Sequence, residues 1–195
     1  MLLQFAGDWL HLYPQAKVLA ASVDDLSIEN RRRFVARVAT NDWDGIVMTR
    51  TAFERLSLTP ENEAAYQQRE LAEVRERLER VKAAKGETSG IKRLEKAMLS
   101  AEERLKAMRD VKADPDLHFE YTGIDYLVID ELHHYKNLAT VSSIPDANIT
   151  GSKRAADLHA KVDYLRQTKG ERVITGATAT PLANSITEMY VVQRY

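Results

Sequence analysis

An apolar run that ends in two carboxylates constrains the fold of this chain more than any other feature. Residues 126–129 are Tyr-Leu-Val-Ile, and Asp130 and Glu131 follow directly. An apolar run without alternation is typical of a strand buried on both faces, as in a parallel sheet covered by helices. Ligands of open α/β sheets bind beyond the carboxyl ends of the strands, where Asp130 and Glu131 would lie. The run therefore predicts an α/β fold with a candidate site at this strand end.

The acidic pair alone allows three interpretations. Strands often end in polar residues simply because they end at the protein surface. An acidic pair can also hold Mg²⁺ through Asp130 while Glu131 orients or deprotonates a water. His133 and His134 close by would permit a metallohydrolase site. However, vicinal histidines point to different faces of an extended chain, and the sequence offers no evident third ligand.

Helical and strand patterns alternate on both sides of a long helical segment. This rhythm is typical of βα units and a parallel sheet. The predicted helices are 2–13, 27–40 (capped by Ser27, with Ile28, Phe34, Val35 and Val38 inward), 155–168 and 183 onward, and the predicted strands are 17–21, 45–49, 126–129 and 172–176.

Residues 60–113 show a heptad pattern instead. Apolar residues recur at a 3-4-3 spacing from Leu71 to Val81, and again from Ile91 to Met108, with a break at residues 86–90. The pattern predicts two helices of roughly 25 residues, folded back as a self-contained antiparallel coiled coil. Its arginines and lysines could contact DNA, but glutamates nearly balance them, which favours an ordinary solvated surface.

Two segments carry a resemblance to a known family. The run from Asp130 reads D-E-x-H-x-x-K-N and resembles motif II of DEAD/DEAH-type helicases, most closely the Swi/Snf-like branch. Residues 174–184, I-T-G-A-T-A-T-P-L-A-N, with Glu188 after them, resemble motif III of that branch. Residues 184–195 are more narrowly similar to large bacterial and phage proteins that join such a helicase to an adenine-specific DNA methyltransferase.

The resemblance implies the N-terminal RecA-like lobe of an ATP-dependent DNA helicase or translocase. Residues 1–59 and 114–195 would form this lobe, with 60–113 as an inserted helical hairpin, and ATP and Mg²⁺ would be the ligands. Asp130 (as Mg²⁺ ligand), Glu131 and His133 would be catalytic, with His133 linking motif II to motif III. The coupling residues of motif III would be Thr178, Thr180, Pro181 and Asn184. A capped turn at the start of a helix explains these threonines as well, and both interpretations can hold together.

Two segments are candidates for contact with the DNA backbone. Thr49, Arg50 and Thr51 resemble the strand-end segment with which the family contacts DNA, although a helix cap explains the threonines equally well. Lys153 and Arg154 follow a glycine, Gly151, whose flexible backbone would let a phosphate approach.

The sequence contains no G-x-x-x-x-G-K-[ST] motif. Residues 86–92 resemble one superficially, but the spacing is wrong and they lie at the tip of the predicted hairpin. A phosphate cradle supplies several charge-assisted hydrogen bonds of about 1.5–3 kcal/mol each, and micromolar affinity amounts to only about 8 kcal/mol. We therefore expect the chain to be the interior of one lobe and inactive alone. Its partners in the same polypeptide would be a phosphate-binding segment, a second RecA-like lobe and, by the narrower resemblance, a methyltransferase.

Composition narrows the other possibilities. The net charge of −1 gives no global attraction to nucleic acid, so any DNA contact needs a local basic patch. The absence of cysteine excludes a disulfide scaffold and predicts a reducing, cytoplasmic location. No apolar run approaches the ~20 residues of a membrane span. The alternative function is a non-catalytic RecA-like module that presents the coiled coil to a protein partner, although such a module has no physical need for both carboxylates.

Overall fold

Helices and strands alternate in the computed structural model, and the strands pair in parallel, which confirms the α/β class. The structure describes residues 2–84, 88–108, 118–142, 147–181 and 186–195. These residues group into two compact units, here called the first unit (within 1–59 and 113–124) and the second unit (within 60–112 and 125–195). Compactness does not test the predicted domain boundaries, which stay a prediction. No helix of the described residues is long and apolar enough to cross a membrane.

The first unit is built around two parallel strands. It contains α1 (Leu2–Leu12), β1 (Val18–Ala21), α2 (Arg31–Ala39), β2 (Gly45–Met48), α3 (Arg50–Phe53) and a 3₁₀ turn at Phe119–Thr122. The strands pair from Val18 with Gly45 to Ala21 with Met48.

The predicted start of α2 at Ser27 is wrong. Residues before Arg31 form tight turns, in which the Ser27 carbonyl accepts from the backbone N–H groups of Asn30 and Arg31 at 3.1 and 2.9 Å. Ile28 therefore lies outside the helix and is 80% exposed, although the sequence pattern placed it inward. Phe34 is buried, as predicted.

The second unit holds the other parallel pair. It contains α4 (Pro60–Ala83), α5 (Thr88–Met108), β3 (Leu127–Ile129), a 3₁₀ turn at Leu132–Tyr135, α6 (Lys153–Lys169), β4 (Ile174–Gly176) and α7 (Ile186–Val192). The strands pair from Leu127 with Ile174 to Ile129 with Gly176. The predicted burial of β3 on both faces is wrong, because Leu127 is buried but Val128 is 67% exposed. Side chains of a strand alternate between its faces, and only one face of β3 is covered by the described residues.

Helices α4 and α5 pack against each other as an antiparallel pair. Ion pairs join Arg75 to Glu102 at 2.7 Å and Lys82 to Glu95 at 3.1 Å, so later residues of α4 meet earlier residues of α5. This pair, here called the hairpin, also contacts α6. It is therefore not the self-contained element that its heptads predicted, and whether it is a coiled-coil insertion stays a prediction.

Candidate functional site

Asp130 and Glu131 form a tight turn at the carboxyl end of β3. The backbone of Glu131 is left-handed (φ 56°, ψ 48°), and its N–H donates to Asp130 Oδ1 at 2.9 Å. A residue other than glycine rarely adopts this conformation, which costs on the order of 1–3 kcal/mol. Both side chains are exposed. The turn thus presents two carboxylates to solvent beyond the strand end, as the sequence predicted.

The parallel pairing brings the end of β4 beside this turn. The Ala177 N–H donates to the Ile129 carbonyl at 2.8 Å, and the Leu132 N–H donates to the Ala177 carbonyl at 2.9 Å. Gly176 leaves room for the buried Leu132, because a Cβ on Gly176 would fall inside contact distance of the Leu132 side chain. The glycine of the T-G-A-T segment therefore permits the two strand ends to pack closely.

His133 joins the two strand ends. Its Nδ1 lies 3.0 Å from Glu131 Oε2 and 3.2 Å from Thr178 Oγ1. Thr178 Oγ1 also accepts the Thr180 backbone N–H at 3.1 Å. A single ring nitrogen carries at most one proton, so a protonated Nδ1 can donate fully to Glu131 or to Thr178 but not to both. The structure thus brings Thr178 of the second motif to His133 and Glu131 of the first, although Thr178 and His133 are 45 positions apart in sequence.

A buried ion pair gives the two segments a second connection. Lys136 Nζ lies 3.1 Å from Glu188 Oε1, and only 7% of the Glu188 side chain is exposed. Lys136 follows the 3₁₀ turn after Glu131, and Glu188 lies on α7 after β4. Lys136 belongs to the motif that begins at Asp130, and Glu188 follows the motif at residues 174–184, but the sequence did not predict their contact.

Sequence reasoning missed a buried polar cluster behind this site. Tyr66 of α4 contacts His159 of α6, with 2.9 Å between the Tyr66 hydroxyl and His159 Nδ1. Arg194 donates to Glu70 of α4 at 3.1 Å. The Tyr195 hydroxyl lies 2.9 Å from the carbonyl oxygen of Tyr135 and 3.1 Å from that of Ala155, and these two acceptors share its one proton. The cluster therefore fastens α4 and α6 to the end of the 3₁₀ turn that carries His133.

Burial governs the ionisation of this cluster. It lowers the pKa of His159 from 6.5 to about 3, with smaller contributions from Arg194 and Arg166. Burial also raises the pKa of Glu70, against the opposing effect of Arg194, and raises the pKa of Tyr66 above its ordinary value. The neutral His159 ring and the Tyr66 hydroxyl share one hydrogen bond through Nδ1. The only trace of this cluster in the sequence is polar residues at helix positions that the apolar pattern leaves unexplained.

The first DNA-contact candidate lies in the first unit and forms a helix cap. Thr49 Oγ1 accepts the Ala52 N–H at 3.2 Å, which caps α3. Arg50 forms a 3.8 Å ion pair with Glu54, the residue that follows the helix, and Thr51 is exposed. The capping interpretation of Thr49 is thus confirmed, and contact with DNA stays a prediction.

The second candidate lies at the start of α6. Ser152 caps this helix, Lys153 is exposed and Arg154 is half-buried. A Cβ on Gly151 would lie 2.7 Å from Ala139 Cβ, so this glycine permits close packing against Ala139. Of the remaining motif III residues, Thr180 and Pro181 are exposed, and Asn184 lies outside the described residues.

The described residues thus form an α/β protein whose candidate site is built from two strand-end segments joined through a histidine. The family model described as a probable helicase domain matches residues 2–195, and the chain belongs to this family. No curated protein and no solved structure matches the chain.

Proposed function

We propose that the chain is the N-terminal RecA-like lobe of an ATP-dependent DNA helicase or translocase of the Swi/Snf-like branch. The hairpin would be an insertion in this lobe, and a second RecA-like lobe and a phosphate-binding segment would complete the motor. Membership of the helicase-domain family supports the general role. The observation that carries the finer proposal is the contact of His133 with both Glu131 and Thr178.

Asp130 suits the proposed Mg²⁺ ion. Its carboxylate is exposed at the strand end, and one of its oxygens already accepts the Glu131 N–H. Among the described residues, no group of three or more His, Cys, Asp or Glu side chains could hold a metal. Mg²⁺ fits a site with a single protein carboxylate, because it is often bound by one or two carboxylates together with phosphates and waters. When bound, Mg²⁺ supplies positive charge that neutralises the phosphates of ATP.

Glu131 is the proposed catalytic base. Its exposed carboxylate can orient a water and accept its proton at Oε1 or Oε2. Oε2 lies 3.0 Å from His133 Nδ1, so an Nδ1–H donated there fixes the direction of the carboxylate. His133 positions Glu131 in this proposal and does not itself take the proton of the water.

His133 is also the proposed coupling residue. When Glu131 turns towards a water, the Nδ1–H of His133 becomes available to Thr178 Oγ1, only 3.2 Å away. Thr178 Oγ1 accepts the Thr180 N–H, so a change in the orientation of the Glu131 carboxylate alters the hydrogen bonds at the end of β4. The Lys136–Glu188 ion pair extends this connection to α7. The segments after β3 and after β4 therefore respond together.

Replacement of Glu131 tests the proposal. In the native protein that carries this sequence, Glu131→Gln keeps the shape of the side chain but cannot accept a proton. We expect ATP binding to persist and DNA-stimulated ATP hydrolysis to fall by about 10²–10⁴-fold. Glu171→Gln, at an exposed acid after α6, is the control and should leave hydrolysis unchanged. If Glu131→Gln hydrolyses ATP at the wild-type rate, Glu131 has no part in the mechanism.

Two further outcomes separate the alternatives. The 195-residue chain alone should hydrolyse no ATP, and activity above background would show that it needs no added phosphate cradle. If the wild-type native protein hydrolyses no ATP with DNA present, the non-catalytic interaction module becomes the better interpretation. Thr49, Arg50, Thr51, Lys153 and Arg154 remain the proposed contacts to the DNA backbone.

A further inference from the structure

The hairpin has charges of opposite sign at its two ends. Its distal half is defined here as residues 75–84 and 88–98, and its proximal half as residues 60–74 and 99–108. The distal half carries seven arginines and lysines and three glutamates, whereas the proximal half carries three basic residues and six glutamates. The near balance of the whole hairpin conceals this separation.

The proximal half is anchored in the second unit. Arg69 Nε donates to Asp163 of α6 at 3.0 Å, and Tyr66 and Glu70 join the buried cluster around His159. One further contact lies in the distal half, where Arg77 donates to the Val141 carbonyl at 2.8 Å. These contacts hold the hairpin in a fixed direction relative to α6, so the distal charges occupy a defined place in the unit.

Five of the seven distal basic residues are exposed, and Arg77 and Arg93 are half-buried. Lys92 and Lys96 stand one turn apart on α5 and are exposed, and 75% of the Arg80 side chain is exposed. Arg80 pairs with Glu76, but exposed pairs of this kind contribute only about 0–1 kcal/mol. Another anion can therefore replace the carboxylate of such a pair. Among the described residues, no ion pair involves Lys92 or Lys96.

The distal half lacks the apolar side chains of a typical protein interface. Leu78 and Leu94 are buried between the two helices, and no large apolar side chain of the described distal residues is exposed. Protein interfaces are enriched in aromatic residues and depleted of lysine. A basic surface without exposed apolar groups fits phosphates, which attract lysine and arginine whatever the base sequence.

We propose that the distal half of the hairpin binds the phosphate backbone of duplex DNA without sequence preference. Its ten or so residues on each helix extend roughly 15 Å at 1.5 Å per residue. A duplex presents about nine phosphate charges over that length, at about 1.7 Å per charge. The basic surface is read from the charges and the anchoring contacts, whereas the choice of DNA as the anion rests on the proposed function.

Binding of the 195-residue chain to a short fluorescent duplex tests this surface, without nucleotide, by anisotropy between about 50 and 200 mM salt. In Lys92→Gln/Lys96→Gln, two phosphate contacts are lost. The slope of log affinity against log salt should therefore become shallower by about 1.8. Arg104→Gln/Lys106→Gln removes the same charge from the proximal half of the same helix and should leave the slope unchanged. Circular dichroism checks that both variants keep their helix content.

Three results would overturn the proposal. An unchanged slope in Lys92→Gln/Lys96→Gln excludes the distal surface, and equal changes in both variants mean that any loss of charge has the same effect. If polyglutamate binds as tightly as DNA, with the same dependence on Lys92 and Lys96, the surface fits an acidic protein instead. The measurement needs neither ATP nor Glu131, so it is independent of the test of hydrolysis.

Discussion

His159 gives the second unit a defined response to pH. The folded chain keeps this side chain neutral down to about pH 3, whereas an unfolded chain protonates it below about 6.5. The unfolded state therefore binds more protons between these values. The free energy of unfolding is at its full value above pH 6.5 and falls as the pH decreases through this window, by up to about 1.4 kcal/mol per pH unit.

Urea unfolding of the wild type and His159→Gln, at pH 7 and about one and a half units lower, measures this effect. The variant has no imidazole to protonate, so its stability should fall less over the same interval. Glu70 acts in the opposite direction, because its raised pKa makes the folded state the better proton acceptor. The comparison of the two proteins cancels this contribution as long as Glu70 keeps Arg194. Equal losses of stability would contradict the role of His159.

Gly176 allows a second prediction at the scale of single residues. In Gly176→Ala the new methyl group must displace Leu132, the first residue of the turn that carries His133. Overpacking of this kind costs about 1–3 kcal/mol. Gly7→Ala is the matched control, because no atom lies within 4 Å of a Cβ there and Gly7 is in α1. It should stabilise the chain by about 0.5–1 kcal/mol. A melting temperature of Gly176→Ala at or above that of the wild type would show that Leu132 moves without cost.

The two halves of the hairpin should tolerate deletion differently. Replacement of residues 78–97 by a short Gly/Ser turn removes the buried side chains of Leu78 and Leu94 but keeps Tyr66, Arg69 and Glu70. Cooperative unfolding should persist, at reduced stability. Replacement of all of 60–113 removes helix α4, which covers the buried His159 and supplies the partners of Asp163 and Arg194. We therefore expect cooperative unfolding, followed by circular dichroism, to be lost, whereas the heptads alone predicted that it would survive.

The contrast shows which elements the sequence could predict. The heptads predicted α4 and α5, because the apolar stripe of such a helix repeats among residues that are close in sequence. The contact between Tyr66 and His159 joins residues 93 positions apart. Periodicity shows which face of a helix is apolar, but not which polar group on another element meets it.

The candidate site was more predictable than the packing around it. The acidic pair was expected beyond the end of a strand, and the resemblance implied that His133 links the two motifs; Asp130 and Glu131 follow β3, and His133 lies beside Thr178. Local spacing was less informative at Val128, where one exposed face of β3 replaced the predicted burial on both faces. An apolar run shows that both faces of a strand can be buried. Whether other elements cover one face or both depends on the assembled fold.

At the scale of the whole molecule, the proposed coupling between hydrolysis and movement can be tested at Thr178 and Thr180. Thr178→Ala/Thr180→Ala removes the hydroxyl that meets His133 and the Thr180 N–H. Each lost bond is worth about 0.5–1.5 kcal/mol. Basal ATP hydrolysis by the native protein should therefore stay within about tenfold, which corresponds to about 1.4 kcal/mol. Translocation on DNA should fall further, because these bonds are proposed to differ between the states of the motor.

ATP turnover and triplex displacement, measured side by side, check this prediction. Thr175→Ala is the matched control. It removes a hydroxyl from the same strand, but that hydroxyl meets Tyr126 at 2.7 Å and not His133. Equal losses of turnover and displacement in the double variant would leave Thr178 with a purely local structural role.

The first unit is formed by two separate segments of the chain, which affects how it folds during synthesis on the ribosome. Both the N–H and the hydroxyl of Thr59 donate to Glu120 Oε1, at 2.8 and 2.9 Å, and the Phe53 ring packs edge-on against Phe119 at 6.1 Å between centroids. Between these partners runs the chain that forms the hairpin of the second unit.

Residues 2–59 must therefore wait for about 60 more residues before the first unit can close, roughly 3–12 s at about 5–20 residues per second. During this interval Phe53, which is 6% exposed in the finished unit, lacks the cover of Phe119. The nascent chain thus exposes an apolar surface for seconds, which is long enough for a chaperone to bind it. Once Phe119 packs against Phe53, this surface is covered.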